Sequence, residues 1–461
     1  MTNWDGKRVV ILGAARQGIA LTRYLLGKGA QVILSDAKPA SALDLATLPA
    51  VPELSLALGG HPLTLLDGCE LLCLSGGVPI DLPIVLEARR LRVPLSNDAE
   101  VFFELCPAPI AAITGSAGKT TTTTLVGEML RAHESGSGGS ARPVWVGGNI
   151  GNPLIEQVDV IGPNDHVVME LSSFQLDLMT RSPQIACITN ITPNHLDRHG
   201  TMAAYVAAKK RILDFQSEGD LQVLCADDSV SSGFNTVART AWFSLRAEPQ
   251  GDGAWLDEDG FLRLRMRKHG IEDTICHRRE LLLMGDHNIL NVLAAAVVAA
   301  SAGASMEAIQ GIARSFKGVA HRLQLIRELN GVRYFDDSIA TAPERVLAAL
   351  RCFSAPVVLL CGGRDKKLPW DEAAAEMARR CEHIALFGEM AGMVQGKLEA
   401  AGIAPSRMSA HASLRAAVLG AVAMARPGSV VLLSPGGTSY DAYRDFAERG
   451  NEFTELITAL H

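Results

Sequence analysis

IAAITGSAGKTTTTT, running from Ile110 to Thr124, joins a short apolar strand, a glycine turn and the start of a helical pattern. Glycines let backbone N–H groups turn inward around a phosphate, and the N-terminus of the following helix adds positive potential. In such a loop Lys119 reaches the outer phosphates and Thr120 holds Mg²⁺. The stretch therefore predicts a phosphate-binding loop in an α/β protein that handles a nucleoside triphosphate.

The loop is a shortened variant of the usual pattern. That pattern has a further glycine five residues before the Gly-Lys pair, and this chain has Ile113 there. The alternative is an ordinary glycine turn that opens a buried helix. The strand–loop–helix context disfavours that alternative.

The bulk composition is that of a globular chain with several domains. Its 461 residues suggest about three domains, and 48% hydrophobic with 20% charged residues allows sizeable cores. The formal charge of −7 argues against nucleic acid as a main partner, because that partner would need a basic face.

Cysteine usage and apolar runs bear on the compartment. The nine cysteines are scattered without a Cys-x-x-Cys pair, which indicates buried free thiols in a reducing environment. The first residues do not resemble a secretory signal, and there is no uncharged apolar run of about 18 residues. We therefore expect a cytoplasmic protein with no membrane partner.

The first ~105 residues alternate apolar strands with a helical pattern, which predicts a parallel, doubly wound sheet. The predicted strands are Arg8–Leu12, Gln31–Leu34 and Leu71–Leu74, and the predicted helix is Ile19–Lys28. The loop from Gly13 to Gly18 matches a dinucleotide fingerprint only in part, since Ala15 replaces the middle glycine. Asp36 could accept from a sugar or a base, so a nucleotide-sugar site and a nicotinamide site both stay open.

Two breaks divide the remaining chain, and they place domains at residues 1–107, 108–320 and 321–461. Prolines in Cys106–Pro109 predict a linker, and the pattern breaks again at Lys317–Ala320. In the central domain we expect an exposed loop tip, two strands, a set of β-hairpins and an alanine-rich helix. These are Glu134–Ser140, Val167–Met169 and Ile185–Ile188, Trp242–Arg267, and Asn288–Ala302.

The last ~140 residues repeat the alternation of strand and helix patterns. The predicted strands are Val332–Phe335, Val357–Leu360, Ile384–Phe387 and Val430–Leu433. Each ends in polar or glycine-rich residues, and ligands bind beyond the carboxyl ends of strands in open parallel sheets. This region is therefore a further candidate ligand surface, although each short stretch is also compatible with a structural turn.

Glu170, His195 and Lys209 are the candidate catalytic side chains outside the loop. Glu170 directly follows a strand, where it either binds the Mg²⁺ of a triphosphate or caps the next helix. His195 lies in a polar loop, and Lys209 lies in the middle of an apolar helical stripe. A buried lysine has a lowered pKa and can react with CO₂ to give a carbamate, whereas a lysine with only its stem buried reaches solvent.

Two further positions could contact a nucleotide. Asn291 could read an adenine edge or satisfy backbone groups. Arg322, at the second boundary, could bridge domains across a nucleotide or form part of an exposed hinge.

Taken together, these motifs resemble the Mur ligase family over essentially the whole chain. The matching stretches are ITGSAGKTTTT, VGGNIG, ELSSFQL, TNITPNHLDRHG, AAKKRI, GDHNILN, GVAHRL, DDS and ATAPE on either side of Ile339, GGRDK and LSPGGTSYDAYRDFAERGNEF. The resemblance implies three α/β domains: an N-terminal Rossmann-like domain, a central P-loop ATPase-like domain and a C-terminal Rossmann-like parallel sheet. The last stretch, with ELSSFQL and NHLDRH, is most similar to members that add D-glutamate to UDP-N-acetylmuramoyl-L-alanine in peptidoglycan precursor synthesis.

The resemblance implies that ATP converts the substrate carboxylate to an acyl phosphate, which the glutamate amine attacks. ATP is then held by Gly115, Ser116, Ala117, Gly118, Lys119, Thr120, Thr121, Asn291, Arg322 and Asp337. Thr120 and Glu170 hold one of two Mg²⁺ ions, His195 holds the second, and Lys209 is carbamylated. The sugar nucleotide contacts Ser35, Asp36, Ser75, Gly76 and Asn149, and glutamate contacts Thr341, Lys366, Ser439 and Phe446. We expect a monomer.

Two departures from the family pattern concern recognition. Members that add D-glutamate carry a lysine two residues after the second aspartate of DDS, and this chain has Ile339 there. The handedness of the glutamate therefore stays open. The family often has asparagine in place of Ala117, so one contact of the phosphate loop is weakened.

Several rival functions are weighed against this one. Folylpolyglutamate synthase lacks the sheet domain ahead of the phosphate loop, and the other Mur ligases fit the carboxy-terminal motif less well. A nicotinamide-dependent dehydrogenase would rest on Gly13, Gly18 and Asp36 and would leave the phosphate loop unexplained. A non-catalytic nucleotide-binding scaffold would make Glu170, His195 and Lys209 inessential.

Overall fold

The computed structural model describes residues 3–139, 141–151, 153–283 and 285–460, with the backbone alone at Asp197. The described strands form three sheets. The chain divides into two compact units, Met1–Leu281 with Asp286–Phe316 and Leu282–Gly285 with Lys317–His461. The first unit contains two sheets and the second unit contains one, so the α/β prediction is confirmed. The domain boundaries after residues 107 and 320 stay a prediction.

The first sheet is fully parallel, with strand order β3-β2-β1-β4-β5. Its elements are β1 (Arg8–Leu12), α1 (Arg16–Gly27), β2 (Gln31–Asp36), β3 (Leu54–Leu58), β4 (Leu71–Leu74), α2 (Pro83–Arg90), β5 (Leu95–Ser96) and α3 (Asp98–Leu105). β1 and β4 have the predicted bounds. β3 was not predicted, although its sequence LSLAL alternates apolar and small residues, and its side chains are half-buried or exposed on this edge strand.

The first glycine loop is tighter than the sequence indicated. α1 begins at Arg16, three residues before the predicted start at Ile19, so Gly18 lies in its first turn. A Cβ atom on Gly18 would come within 1.9 Å of the Gly13 carbonyl oxygen. The missing side chain therefore lets the helix start directly against the loop.

The second sheet has strand order β14-β13-β12-β11-β10-β9-β6-β8-β7. Its strands are β6 (Ile110–Thr114), β7 (Val144–Gly148), β8 (His166–Glu170), β9 (Ile185–Ile188), β10 (Leu221–Cys225), β11 (Arg239–Ser244), β12 (Gly253–Leu256), β13 (Phe261–Met266) and β14 (Ile271–His277). Its helices are α4 (Lys119–Gly136), α5 (Ser173–Leu176), α6 (Leu196–His199), α7 (Met202–Asp214), α8 (Asp286–Ser301) and α9 (Met306–Ser315).

The hairpin prediction over Trp242–Arg267 is only partly correct. β12 and β13 pair antiparallel, whereas β11 and β12 pair parallel. Residues 245–252 return the chain to the end of the sheet where β11 began, so that β12 runs parallel to β11. Glycine and aspartate turns mark the connection in the sequence but do not distinguish a hairpin from such a return.

The predicted loop tip at Glu134–Ser140 is wrong at its start. α4 continues to Gly136, and Glu134 is buried, whereas residues 135–139 are exposed and Ser140 lies outside the described residues. Glu134 accepts hydrogen bonds from the backbone N–H and the guanidinium of Arg142 and contacts His166 Nε2 at 2.9 Å. Burial opposes ionisation, but the Arg142 and His166 bonds outweigh it and lower the pKa of Glu134 to about 2.

The third sheet lies in the second unit, with strand order β15-β16-β20-β17-β18-β19, and only β15 is antiparallel to its neighbour. Its elements are β15 (Gln324–Leu329), β16 (Val332–Asp336), α10 (Pro343–Arg351), β17 (Val357–Gly362), α11 (Asp371–Arg380), β18 (Cys381–Phe387), α12 (Ala391–Ala400), β19 (Met408–His411), α13 (Leu414–Met424), β20 (Val430–Gly436) and α14 (Phe446–Thr458). The four predicted strands are present, and β15 and β19 were missed.

The central strands of the third sheet are continuous apolar runs because helices cover both faces. Leu359 and Leu432 belong to one apolar cluster, while Leu360 and Leu433 belong to the cluster on the opposite face. Among the described residues of the whole chain, no helix is both long and apolar enough to cross a membrane.

Glu134→Gln should lower the free energy of unfolding by about 3 kcal/mol, because Arg142 and His166 lose a buried carboxylate. Glu128→Gln is the matched control on the same helix, since Glu128 forms an exposed pair with Arg131 and should cost less than about 0.5 kcal/mol. Urea unfolding measures both values. The pKa of Glu134 is lowered on folding, so its stabilisation is complete above about pH 4.5 and is lost as pH falls toward 2. An equal effect of the two variants would contradict this assignment.

Candidate active site

The phosphate loop lies between β6 and α4, as predicted. Gly118 caps α4 with φ of +83°, and a Cβ atom there would lie 2.2 Å from Asn291 Oδ1. Lys119 Nζ donates to the carbonyl oxygens of Gly115 at 2.9 Å and Ser116 at 3.4 Å. The N–H groups in the first turn of a helix have no intrahelical acceptor. The loop therefore combines a cation with the backbone donors of a helix N-terminus, which is the chemistry of a phosphate site.

Asn190, which the sequence reasoning missed, holds the other side of the loop. Its backbone oxygen accepts from Ser116 N at 2.9 Å, and its side-chain oxygen accepts from Ala117 N at 3.0 Å. Asn190 lies two residues after the predicted strand β9, and β9 is the neighbour of β6 in the sheet. A polar residue at the carboxyl end of an adjacent parallel strand is the signal that could have identified it.

Glu170 ends β8 and faces the start of α4. Its carboxylate accepts from Thr120 Oγ1 and from Asn149 Nδ2, both at 2.8 Å, and the residue is almost fully buried. The alternative of a helix cap is wrong, because Ser172 caps α5 by accepting from Gln175 N. A hydroxyl and a carboxylate beside a phosphate loop are oxygen donors of the type that Mg²⁺ prefers.

Lys209 points inward from α7 and is 1% exposed, so the alternative of a lysine reaching solvent is wrong. Its Nζ donates to Gly115 O at 2.8 Å and to Thr114 Oγ1 at 3.3 Å. Burial lowers the pKa of Lys209 well below its usual value, the Lys119 cation lowers it further, and Glu170 opposes the shift. The Gly115 carbonyl thus accepts from two lysines, and repulsion favours the neutral, nucleophilic amine on the buried one.

Tyr205, which no motif marked, connects this lysine to the loop. Its ring centroid lies 5.0 Å from Lys209 Nζ, and its hydroxyl is 2.9 Å from Ser116 Oγ. A buried tyrosine hydroxyl usually finds a polar partner. That general rule was the available signal.

His195 is exposed and adopts a left-handed conformation with φ of +53° just before α6. Its ring packs edge-on against Phe174, with centroids 5.3 Å apart. Among the described residues there is no cluster of three or more His, Cys, Asp or Glu side chains that could hold a metal. The structure therefore does not join His195 to Glu170 in a preformed ligand cluster.

The residues predicted for the sugar nucleotide surround the first glycine loop. Asp36 Oδ2 accepts from Ala14 N at 2.7 Å, and Ser75 Oγ donates to Gly13 O at 3.0 Å. Gly76 N donates to Gln17 Oε1 at 3.4 Å.

Ser35 lies deeper than the other predicted contacts. It is fully buried and pairs with His61 Nδ1 at 2.8 Å. Burial lowers the pKa of His61, with Asp36 opposing the shift. His61, which belongs to no recognised motif, is therefore the polar side chain that pairs with Ser35.

Two arginines join this region to the phosphate-loop side of the first unit. Arg16 Nη2 donates to Asn149 O at 3.4 Å, and Arg198 Nη1 donates to Gly77 O at 3.1 Å. Asn149 in turn donates to Glu170. Hydrogen bonds therefore link the region of the first glycine loop to Glu170 and the start of α4 within the first unit.

In the second unit, Asp337 lies at the carboxyl end of β16. It accepts from Ser434 Oγ at 2.9 Å and from Leu323 N at 3.2 Å. Burial raises the pKa of Asp337 to about 7, against the Ser434 and Leu323 bonds and the nearby Arg322. The proposed nucleotide contacts Arg322 and Asp337 are thus close to each other within this unit.

The residues predicted for glutamate lie around neighbouring loops of the second unit. Lys366 Nζ donates to Thr341 Oγ1 at 3.0 Å, and Arg364 bridges to Thr438, the residue before the buried Ser439. Ile339, at the position of the missing lysine, is half-buried.

Arg449 organises this pocket and was missed, although it lies inside a quoted motif. Its buried guanidinium donates to Ser338 O at 2.9 Å and to Gly437 O at 3.2 Å, and burial lowers its pKa to about 10. Ser338 in turn donates to the carbonyl of Phe446, where α14 begins. A buried arginine thus ties the DDS loop to the loop that carries Ser439.

Fold and site together define an α/β nucleotide-binding protein of the phosphate-loop type. Residues 113–299 match the Mur ligase middle domain, and residues 321–437 match the Mur ligase, glutamate ligase domain. The chain belongs to the Mur ligase family.

Relatives of similar length support the assignment. The UDP-N-acetylmuramoylalanine--D-glutamate ligase of Symbiobacterium thermophilum is 43% identical over 463 residues, covering 98% of each chain. That of Pelotomaculum thermopropionicum is 38% identical over 467 residues, covering 100% of this chain and 99% of the relative.

Solved structures agree at the level of the fold. MurC from Thermotoga maritima superposes with a TM-score of 0.56 at 20% identity, covering 98% of this chain and 99% of that one. MurF from Thermotoga maritima in complex with ADP gives 0.53 at 18% identity, covering 99% and 96%.

Gly118→Ala should weaken ADP binding by at least about tenfold, because a left-handed alanine is strained and its Cβ displaces Asn291. Gly136→Ala is the matched control at the other end of α4, where a Cβ atom meets nothing within 4 Å. Calorimetric titration with ADP compares the two variants. Wild-type ADP affinity in Gly118→Ala would show that this loop does not hold the nucleotide.

Proposed function

We propose that this protein joins D-glutamate to UDP-N-acetylmuramoyl-L-alanine with hydrolysis of ATP to ADP and phosphate, as a cytoplasmic monomer of peptidoglycan precursor synthesis. One observation carries the proposal. Lys119, Thr120, Glu170 and a buried Lys209 converge on a single phosphate loop. The full-length similarity to D-glutamate ligases supports the choice of substrates.

The oxygen donors present fit Mg²⁺. Thr120 Oγ1 and the Glu170 carboxylate would hold one ion beside the phosphate loop, and we propose His195 and a carbamylated Lys209 for a second. Mg²⁺ supplies charge neutralisation at the phosphates when bound. Lys119 is placed to neutralise the same group from the loop side.

The chemistry divides into two displacements. A carboxylate oxygen of the sugar-peptide attacks the γ-phosphorus of ATP, and the bond to ADP breaks. The glutamate amine then attacks the acyl carbon, loses a proton and expels phosphate. Because a carboxylate is a poor electrophile, phosphorylation supplies the leaving group, and the protein contributes positioning and charge stabilisation.

The proposed contacts with the sugar nucleotide are the residues around the first glycine loop and Asn149. We propose that Asp36, Ser75 and Gly76 bind the uridine-diphosphate end and that Asn149, which touches Glu170, binds the muramoyl end. Ala15 stands where a dinucleotide fingerprint has the glycine that lets the backbone approach the pyrophosphate. This departure disfavours a nicotinamide cofactor and with it the dehydrogenase alternative.

The second unit carries the proposed amino-acid pocket. Lys366, hydrogen-bonded to Thr341, is the cation proposed to pair with a glutamate carboxylate, and Ser439 and Phe446 complete the pocket. Arg322 and Asp337, with Asn291 of the first unit, are proposed nucleotide contacts.

The purified full chain should release phosphate from ATP only when UDP-N-acetylmuramoyl-L-alanine and glutamate are both present, with D-glutamate preferred over L-glutamate. Lys119→Ala should abolish phosphate release, because the loop loses its cation. Coupled phosphate detection and mass spectrometry of the product measure both. A preference for L-glutamate would reverse the stereochemical assignment, and turnover with Lys119→Ala would contradict the role of the loop.

Lys209→Ala should reduce turnover by about a thousandfold, an effect of the size caused by losing a preorganised charge. Added acetate or formate should restore part of it by standing in for the carbamate. Lys210→Ala is the matched control, since Lys210 is the next residue on the same helix, is partly exposed and is paired with Asp214. Undiminished turnover in Lys209→Ala, or equal loss in Lys210→Ala, would reject the carbamate.

A further inference from the structure

A cavity of about 360 Å³ lies at the opposite edge of the second sheet from the phosphate loop. Its wall includes the first residues of parallel strands, among them Ile110, Ile185 and Leu221, whereas the loop follows the last residue of β6. Leu130 of α4 also lines the cavity, about 16 Å along the helix from Lys119 at about 1.5 Å per residue. The cavity is therefore separate from the site described above.

The rim of this cavity is cationic although the chain as a whole carries a charge of −7. Arg239 at the start of β11 and Lys268 and His269 after β13 line it from separate elements. None of the three side chains has a hydrogen bond or ion pair to another described residue. The rim thus presents unpaired donors to whatever enters.

The other charged lining residues are already satisfied. Asp165 accepts from Trp145 Nε1 at 2.8 Å and from Gly162 N at 2.9 Å. Arg142 and His166 both contact Glu134. The available charge at the cavity is therefore positive, above an apolar floor.

We propose that this cavity is a second ligand site, which takes a small carboxylate with an apolar body. The volume lies within the range of ligand pockets, and an apolar wall with few charged groups is the usual composition of such sites. Arg239 and Lys268 pair with the carboxylate, and the aliphatic body covers the strand ends. The site goes beyond the proposed ligation, whose residues lie at the other sheet edge.

The experiment uses 1-anilinonaphthalene-8-sulfonate, a fluorescent apolar anion, bound to the full chain and displaced by decanoate. The double variant Arg239→Gln, Lys268→Gln should raise the dissociation constants of the probe and of decanoate about tenfold. This corresponds to a loss of about threefold in affinity for each exposed cation. Arg246→Gln is the control, since Arg246 follows the far end of β11, is exposed and does not line the cavity. The dissociation constant of decanol, which lacks the charge, should be the same in the double variant as in the wild type once the weaker binding of the probe is taken into account.

Three results would overturn the proposal. They are unchanged probe affinity in the double variant, an equal loss in Arg246→Gln, or an equal loss for decanol and decanoate. Saturating ADP should leave the probe bound, and complete competitive displacement by ADP would place the probe at the phosphate loop instead. Melting temperatures of all variants verify that the exposed substitutions leave the fold intact.

Discussion

One backbone carbonyl, that of Gly115, constrains the chemistry of this protein. It accepts from Lys119 Nζ at 2.9 Å and from Lys209 Nζ at 2.8 Å. Two ammonium groups on one oxygen repel each other, and Lys209 has no solvent to screen it. Burial lowers the pKa of Lys209 well below its usual value and the Lys119 cation lowers it further, which drives the buried lysine toward the neutral amine. Two lysines on one carbonyl oxygen therefore serve different purposes: Lys119 belongs to the phosphate loop, and Lys209 supplies a nucleophilic amine.

The carboxyl ends of three neighbouring strands supply what surrounds that carbonyl. β6 leads into the loop, β8 ends in Glu170, and β9 leads into Asn190. The Glu170 carboxylate accepts hydrogen bonds from Thr120, at the start of α4, and from Asn149. Asn149 in turn accepts from Arg16 of the first sheet's α1. The two glycine loops of the first unit consequently differ in role. Asp36 closes the loop at Gly13, whereas the loop at Gly115 keeps the donors at the start of α4.

Local patterns predicted many of the strands and the phosphate loop, and they placed Lys209 on an apolar stripe without deciding whether its amine is buried or reaches solvent. Apolar runs mark β1, β4, β17 and β20 because these strands are buried, whereas the stripe on α7 is compatible with a lysine whose amine reaches solvent. The alternating apolar residues of LSLAL in β3 carry a strand signal that was overlooked. Glu134 was misplaced because glycine and serine after it indicate a loop, while its partners Arg142 and His166 lie elsewhere in the sequence.

By itself, the sequence determined which residue types are available and in which local order: a glycine turn before Lys119, a carboxylate after a strand, a lysine within an apolar stripe. Those properties depend on propensity and periodicity, which act over a few residues. Only the tertiary structure decided that Lys209 meets Gly115, that Glu170 meets Thr120, and that His195 remains exposed. The first two contacts join residues 94 and 50 positions apart, and such pairings follow from strand order and packing, which no local pattern encodes.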